Sequence, residues 1–376
     1  MAPPTSPEVI VIGAGVIGSA CAFELAQAGA RVTVFDARRI GQGASQASAG
    51  VLAPYIEGHE RGPLRELGRR SLDLYDEFIE RLAATTGRVV QYARSGTLEI
   101  ALDGAEASRL QQSVATLAED GVNARWLDAA ALREAEPLAA PDAAGGLLID
   151  LHAFVGVPEL TETLAAAAMR CGARVATESR VLSVGAAAGD RVEVITENGA
   201  STADRVILAA GSWSGHVPLG GVANAVGVKP VRGQLLHLAW PTEQPLRHVL
   251  WSSTCYLVPW LNGRVLVGAT VEHAGFDERA TSAGVRSLLD ASCSLVPRLS
   301  DASFVEVRVG LRPASPDDLP VVGESAVVPG LIYATGHYRN GVLLAPLTAA
   351  LVRQLVFDEP RDPALETLSP TRLGRL

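Results

Sequence analysis

The chain has 376 residues, 48% of them hydrophobic and 19% charged, with a formal net charge of -9 at pH 7. That balance is too apolar for a disordered chain, the glycines have no collagen period, and the length predicts two or three domains. No long block of like charges is present, so neither a basic arm nor an acidic tail exists and nucleic acid is not an expected partner. Four cysteines, Cys21, Cys171, Cys255 and Cys293, lie far apart with no CxxC pair, so no zinc site or disulfide framework is expected, no metal is expected, and the chain reads as cytoplasmic. The apolar stretch from Val9 to Ala30 is preceded by no lysine or arginine and is broken by Glu24, so it reads as core rather than as a signal segment. No apolar run reaches the length of a membrane span.

Taken in order, Glu8 to Ile12 is a β-branched strand, Gly13 to Gly18 a glycine turn, and the alanine-rich stretch to Ala28 a helix stopped by Gly29. Arg31 to Phe35 is the next strand, so the first 36 residues spell a βαβ unit and the start of a parallel sheet. Leu64, Leu67, Ser71, Tyr75, Phe78, Ile79 and Leu82 recur at helical spacing and predict one long amphipathic helix ending near Gly87. Strands are predicted at Val89 to Tyr92 and Thr97 to Leu102, then helices at Asp103 to Asp120 and Asp128 to Glu136, the second capped by Asp128. Pro158 to Cys171 reads as a helix and Ala173 to Ala176 as a strand. Val181 to Val184 and Arg191 to Thr196 alternate, with Glu197-Asn198-Gly199-Ala200 as a hairpin signal, and Arg205 to Ala209 is a further strand. Val226 to Thr270 is rich in strands, and Leu331 to Ala334, Gly336 to Gly341 and Val342 to Val356 repeat the order strand, glycine loop, helix.

The fold class expected from this interleaving is α/β plus α+β: a discontinuous Rossmann-like nucleotide domain holding an inserted, mostly antiparallel domain. The expected division assigns 1–87, 148–222 and 305–376 to the first and 88–147 and 223–304 to the second.

The glycine turn carries the first chemistry. Gly13 permits the tight turn, Gly15 lets the backbone approach a pyrophosphate, and Gly18 lets helix and strand pack closely. Phosphates then sit on a helix N-terminus, and Asp36, at the end of the next strand, can accept ribose hydroxyls. This pattern alone leaves NAD and FAD both open. The loop from Arg38 to Pro54 is small and polar at its centre, Gly41 to Gly50, and suits close passage against a flat ligand, with Ser45 and Ser48 as hydroxyl donors.

These features, with Lys229-Pro230-Val231-Arg232-Gly233-Gln234, Tyr256-Leu257-Val258-Pro259, Val267-Gly268-Ala269-Thr270, Gly310-Leu311-Arg312-Pro313 and the run Gly336 to Pro346, make the chain resemble the D-amino-acid oxidase family of FAD enzymes nearly end to end. Within that family it is most similar to bacterial glycine oxidases of the thiamine-biosynthesis type. The resemblance implies non-covalent FAD, since no cysteine falls near the Gly336 to Pro346 loop. It implies that Val16 and Ile17 cradle the pyrophosphate, that Asp36 and Ala37 hold the adenosine ribose, and that Ala44, Ser45, Ala49, Gly50 and Val51 line the flavin. Val181 would meet the adenine, and His337, Tyr338, Arg339, Asn340, Gly341, Val342 and Leu343 would wrap the isoalloxazine. Arg312 would bind the substrate carboxylate, because a guanidinium matches two carboxylate oxygens, with Tyr256 adding a hydroxyl and Arg339 standing between flavin loop and substrate. A core tyrosine is the plain alternative for Tyr256, and a loop-packing histidine for His337.

Two departures from the family pattern stand out: Asp36 occupies a place where many relatives carry glutamate, which implies a single or water-mediated ribose contact, and Val271 a place where methionine can occur. The implied reaction is oxidative deamination of glycine or another small amino acid or amine. Hydride passes from Cα to flavin N5 with no side-chain acid or base, the imine hydrolyses to oxo acid and ammonia, and O2 is reduced to H2O2. The alternative is a dehydrogenase of the same fold acting on D-amino acids, sarcosine or proline with a non-oxygen acceptor; a nucleotide-binding module without catalysis is a third reading. The resemblance leaves room for a homo-oligomer.

Overall fold

The structure is a computed structural model that describes residues 6–56, 62–220, 224, 226–240 and 244–376; the expected boundary between 222 and 223 lies outside the described residues. In chain order it runs β1 (Glu8–Ile12), α1 (Val16–Gln27), β2 (Arg31–Phe35), β3 (Val51–Leu52), α2 (Pro63–Asp73), α3 (Tyr75–Thr86), β4 (Tyr92–Ala93) and β5 (Thr97–Ala101). There follow α4 (Gly104–Glu119), β6 (Ala124–Asp128), α5 (Ala129–Ala135), β7 (Gly145–Ile149), β8 (Ala153–Val155), α6 (Val157–Arg170), β9 (Arg174–Ala176), β10 (Val181–Ala186), β11 (Val192–Thr196), β12 (Gly199–Ala203) and β13 (Arg205–Leu208). The last part holds β14 (Lys229–Ala239), β15 (Val249–Trp251), β16 (Tyr256–Trp260), β17 (Arg264–Gly268), α7 (Ser282–Leu295), β18 (Ser303–Ala314), β19 (Val321–Glu324), β20 (Leu331–Thr335), α8 (Gly341–Val356) and α9 (Ala364–Thr367).

Two large sheets organise these elements. The first has the order β19-β20-β13-β1-β2-β9 and is parallel except for β19. Its strands are short apolar runs because both faces are covered. Val9 and Val11 point to the core shared with α1, α6 and α8, while Ile10 and Ile12 meet Val184, Val192 and Val194 of the β10-β11-β12 hairpin sheet. The second sheet, β18-β14-β17-β16-β15-β5-β7-β6, is antiparallel apart from the β15–β5 pair. It joins strands from both expected insertions. One face is covered by α5 and α7 through Leu132, Leu288 and Leu295; the other, through Leu235, Val258 and Leu266, packs on Ala49 and Phe154. β7 runs across the expected 147/148 boundary and β18 across the 304/305 boundary.

Two local expectations change. The long helix is two, α2 and α3, because at Leu74 the backbone tightens and its N–H bonds back to Ser71 O at 3.2 Å. Of the strand expected at Val89 to Tyr92 only the end is strand, as β4, which pairs with the short β8; Val89 itself is exposed.

The seam between α3 and α8 follows from one proline. Pro346 lies inside α8, has no N–H, and leaves the carbonyl of Val342 without its helical donor. The Tyr75 hydroxyl, wholly buried, donates to that carbonyl, and Ser71 Oγ accepts from Leu347 N–H at 3.3 Å. The N-terminal turn of α8 is thereby fixed against α2 and α3. Tyr75→Phe should lower stability by about 1–3 kcal/mol, the usual cost of a buried polar group left unmade, and thermal unfolding would read it as a lower midpoint. An unchanged midpoint would show that the bond contributes nothing.

Candidate active site

A cavity of about 610 Å³ lies where the ends of the parallel strands face the antiparallel sheet. It is lined by Gly13, Gly15, Val16, Ile17, Asp36, Ala37, Ala44, Ser45, Ala49, Gly50, Val51 and Val181 on one side and by the whole run His337 to Leu343 on another. Tyr256, Arg312 and Arg339 line it as well. Gly18 does not; it lies beneath the turn, where a Cβ would overlap the carbonyl of Gly13. Gly13 has φ +107°, a conformation glycine adopts freely, and its N–H bonds to Phe35 O at 2.8 Å, closing the turn onto β2.

At this end of the cavity Asp36 accepts from the N–H groups of Ala14 (2.6 Å) and Arg38 (2.7 Å). Burial, against those two donors and the Arg38 charge, holds its pKa above the ordinary 3.8. Ser45 Oγ accepts from Val16 N–H at 3.0 Å, so the loop hydroxyl caps the first turn of α1 and keeps its own proton for an acceptor in the cleft. Arg38 stacks on Trp213 at 4.4 Å and pairs in bidentate fashion with Glu278 at 2.8 and 2.9 Å.

At the opposite end the antiparallel sheet presents Arg312 and Tyr256 over bare backbone. Gly233 faces Gly310 across β14 and β18, and Tyr256 faces Gly268 across β16 and β17. A Cβ on Gly233 would overlap the Arg312 guanidinium, and one on Gly268 the Tyr256 ring, so both side chains lie flat on the sheet. Arg312 is anchored from both neighbours: Ser212 Oγ donates to Leu311 O at 2.9 Å, and Tyr338 N–H to Pro313 O at 2.9 Å. Its Nη1 donates to Thr270 O at 3.0 Å and Arg232 O at 3.4 Å. Neither Arg312 nor Arg339 has a carboxylate partner among the described residues, whereas the other two cavity arginines do, Arg38 with Glu278 and Arg180 with Glu197. Trp251 stacks on Tyr256 with ring centres 4.8 Å apart, and Arg339 lies over Tyr338 at 5.1 Å.

His337 is buried, its Nε2 is 3.0 Å from Thr348 Oγ1, and burial pushes it down to about 3. It is a neutral packing group. Cys255 also lines the cavity, with its thiol pushed up to about 11, chiefly by burial, so it stays protonated and a poor nucleophile at neutral pH.

Sequence reasoning missed several lining residues. The segment Ala209 to Trp213 follows β13, the neighbour of β1, and strand ends beside the nucleotide turn bound such a crevice, so its place could have been inferred. The alternation of Val305, Val307, Val309 and Leu311 with Glu306, Arg308, Gly310 and Arg312 likewise signals β18 and puts Gly310 and Arg312 on one face. Trp251 and Glu99 carry no such signal, because they reach the cavity only through the β15–β5 pairing.

The lining fits a dinucleotide that carries a flat ring system: open N–H groups begin α1 and α8, a carboxylate stands at the ribose position, and the turn beneath has room for no side chain. Comparisons with known proteins agree. Residues 8–355 match the family described as FAD dependent oxidoreductase. The bifunctional protein ThiO/ThiG of Nostoc sp. is 37% identical over 95% of this chain, which spans about half (54%) of that protein's length. A glycine oxidase of Geobacillus kaustophilus is 35% identical over 98% of this chain and 97% of its own. The crystal structure of glycine oxidase from the same organism superposes with a TM-score of 0.91 at 33% identity, covering 98% of this chain and 99% of that one.

Two predictions test the cofactor end. Asp36→Ala removes the acceptor for two N–H groups and the carboxylate expected at the ribose, and should weaken FAD retention on dialysis by tenfold or more, roughly the effect of one charge-assisted bond; retention equal to wild type would remove Asp36 from the cofactor site. The second concerns acid. As pH falls below about 6.5 the unfolded chain protonates His337 while the folded one resists down to about 3, so stability declines through that window. His337→Gln should flatten this decline in thermal unfolding midpoints measured from pH 7 to 4.

Proposed function

This chain belongs to the FAD-dependent oxidoreductase family, and on that premise we propose that it oxidatively deaminates glycine or a similarly small amino acid. The single observation that carries the substrate class is Arg312: a guanidinium in the cleft, held through Nη1 by two carbonyls, with Nη2 and Nε engaged by no described residue. A fixed guanidinium edge of this kind recognises a carboxylate by two parallel hydrogen bonds.

In this reading Gly13, Gly15, Val16 and Ile17 form the pyrophosphate turn, Asp36 and Ala37 hold the ribose, and Val181 borders the adenine. The loop residues Ala44, Ser45, Ala49, Gly50 and Val51, with His337 to Leu343, would enclose the isoalloxazine, and the N-terminus of α8 would turn its positive dipole toward it. When bound, FAD would supply a two-electron oxidant for the Cα–H bond, with O2 as the final acceptor. The protein's part is orientation. Arg312 and the Tyr256 hydroxyl hold the carboxylate, the Trp251–Tyr256 stack excludes water beside it, and Arg339 closes the exposed side. With glycine, water and O2 the balance is glyoxylate, ammonia and H2O2. The parallel sheet with its helices is the cofactor unit and the antiparallel sheet the substrate unit. A role in thiamine biosynthesis is supported by the ThiO/ThiG relative. The dehydrogenase alternative has less support, since the relatives that are at least 30% identical and aligned along nearly their full length are named glycine oxidases.

Wild-type enzyme should release H2O2 from glycine, and Arg312→Ala should raise KM for glycine by about 100-fold or more, the loss of a bidentate charged contact, with FAD binding little altered. An unchanged KM would exclude Arg312 from substrate binding.

A further inference from the structure

Arg312 owes its position to carbonyls rather than to a carboxylate, and those carbonyls belong to residues tied to one acidic group. Glu272 stands just past the cleft wall, two residues after Thr270, with Val271 between them lining the cavity. Its Oε1 accepts from Thr270 Oγ1 at 2.6 Å and from Gln234 Nε2 at 2.7 Å. Its Oε2 accepts from Arg232 Nη2 at 2.6 Å and Nε at 3.2 Å. The backbones of Glu272 and Arg232 also bond to each other in both directions at 2.9 Å. One carboxylate therefore locks both residues, Thr270 and Arg232, whose carbonyls hold Arg312 Nη1. Its own pKa is lowered: burial works to raise it, but the donors from Thr270, Gln234 and Arg232 outweigh that, so the clamp is ionised at neutral pH.

We propose that Glu272 is a positioning residue for the substrate carboxylate: it sets the Thr270 and Arg232 carbonyls so that the remaining guanidinium edge of Arg312 faces the substrate. This rests on the reading of Arg312 given above. Glu272 touches neither substrate nor cofactor in this scheme. It acts only through the geometry of Arg312, so it governs affinity for carboxylates and leaves the chemical step alone. A glutamine in its place keeps the shape but offers one acceptor oxygen where the clamp uses two, and cannot serve the Thr270 and Arg232 sides together.

The test uses FAD-loaded wild type, Glu272→Gln, Thr270→Val and Arg312→Ala, each measured with glycine, with glycinamide, which lacks the carboxylate, and with acetate as a competitive inhibitor. Glu272→Gln should raise the glycine KM and the acetate inhibition constant together, by about tenfold, with kcat for glycine and the glycinamide kinetics close to wild type. Thr270→Val breaks the same contact from the other side and should give the same split; it decides the matter if Glu272→Gln does not hold FAD. Equal losses with glycine and glycinamide would show a general structural role and overturn the proposal. If Arg312→Ala shifts the carboxylate constants but Glu272→Gln and Thr270→Val do not, the role of Glu272 alone falls. If Arg312→Ala leaves them unchanged, the carboxylate reading of Arg312 fails and takes the positioning role with it.

Discussion

The parallel alignment of β20, β13, β1 and β2 decides where everything else in the molecule can work. Parallel strands end at a common rim, and here the rim residues Ala334-Thr335, Ala209-Ala210, Ile12-Gly13 and Phe35-Asp36 all line the same cavity. Two of these strands lead into helices, α1 after β1 and α8 after β20, so two N-termini with open N–H groups converge on one crevice. An antiparallel arrangement would send one of those helix ends to the far side of the sheet. The buried seam of Tyr75 and Ser71 on α8 keeps the second N-terminus at the rim despite Pro346.

The antiparallel sheet supplies the opposite wall, and it does so by leaving side chains out. Gly233 and Gly268 give Arg312 and Tyr256 a flat bed, and Gly310 lets the loop at Ala44 and Ala47 approach β18 closely. The two walls are tied beside the chemistry: Ser212 and Tyr338, both from the rim, bond to the carbonyls flanking Arg312. A shift between the sheets would therefore move the guanidinium relative to the cofactor loop. The net charge of -9 is no guide to this site. Among the described residues Arg312 and Arg339 face the cleft without a carboxylate partner, so each leaves positive charge uncompensated at that wall.

What was legible in the amino-acid sequence was what is local. The βαβ start, the Asp128 cap and the α6 helix come from residues within a few positions of one another, and each reappears, Asp128 accepting from Ala130 and Ala131 N–H. The glycine turn, Asp36 and the loop after Gly336 were readable as motifs because their spacing is their function, and the structure brings them to one cavity. The contribution of Trp251 was not readable, since a residue on a three-residue strand enters the site only through its pairings with β5 and β16. Nor was Glu272: its importance lies in what it holds, and an isolated glutamate after Gly268-Ala269-Thr270-Val271 announces none of the bonds it makes.

The central claim is that this cleft carries FAD and oxidises a small amino acid bound by its carboxylate, with O2 as acceptor. The most direct measurement is the visible absorbance of the purified holoprotein mixed with glycine, sarcosine or D-alanine in the absence of air, followed by admission of air. The protein should be yellow, its flavin absorbance should bleach with glycine or another of the small amino acids, and the colour should return on aeration with formation of H2O2. A colourless protein that takes up no FAD, or a yellow one that none of these substrates bleaches, would contradict that claim.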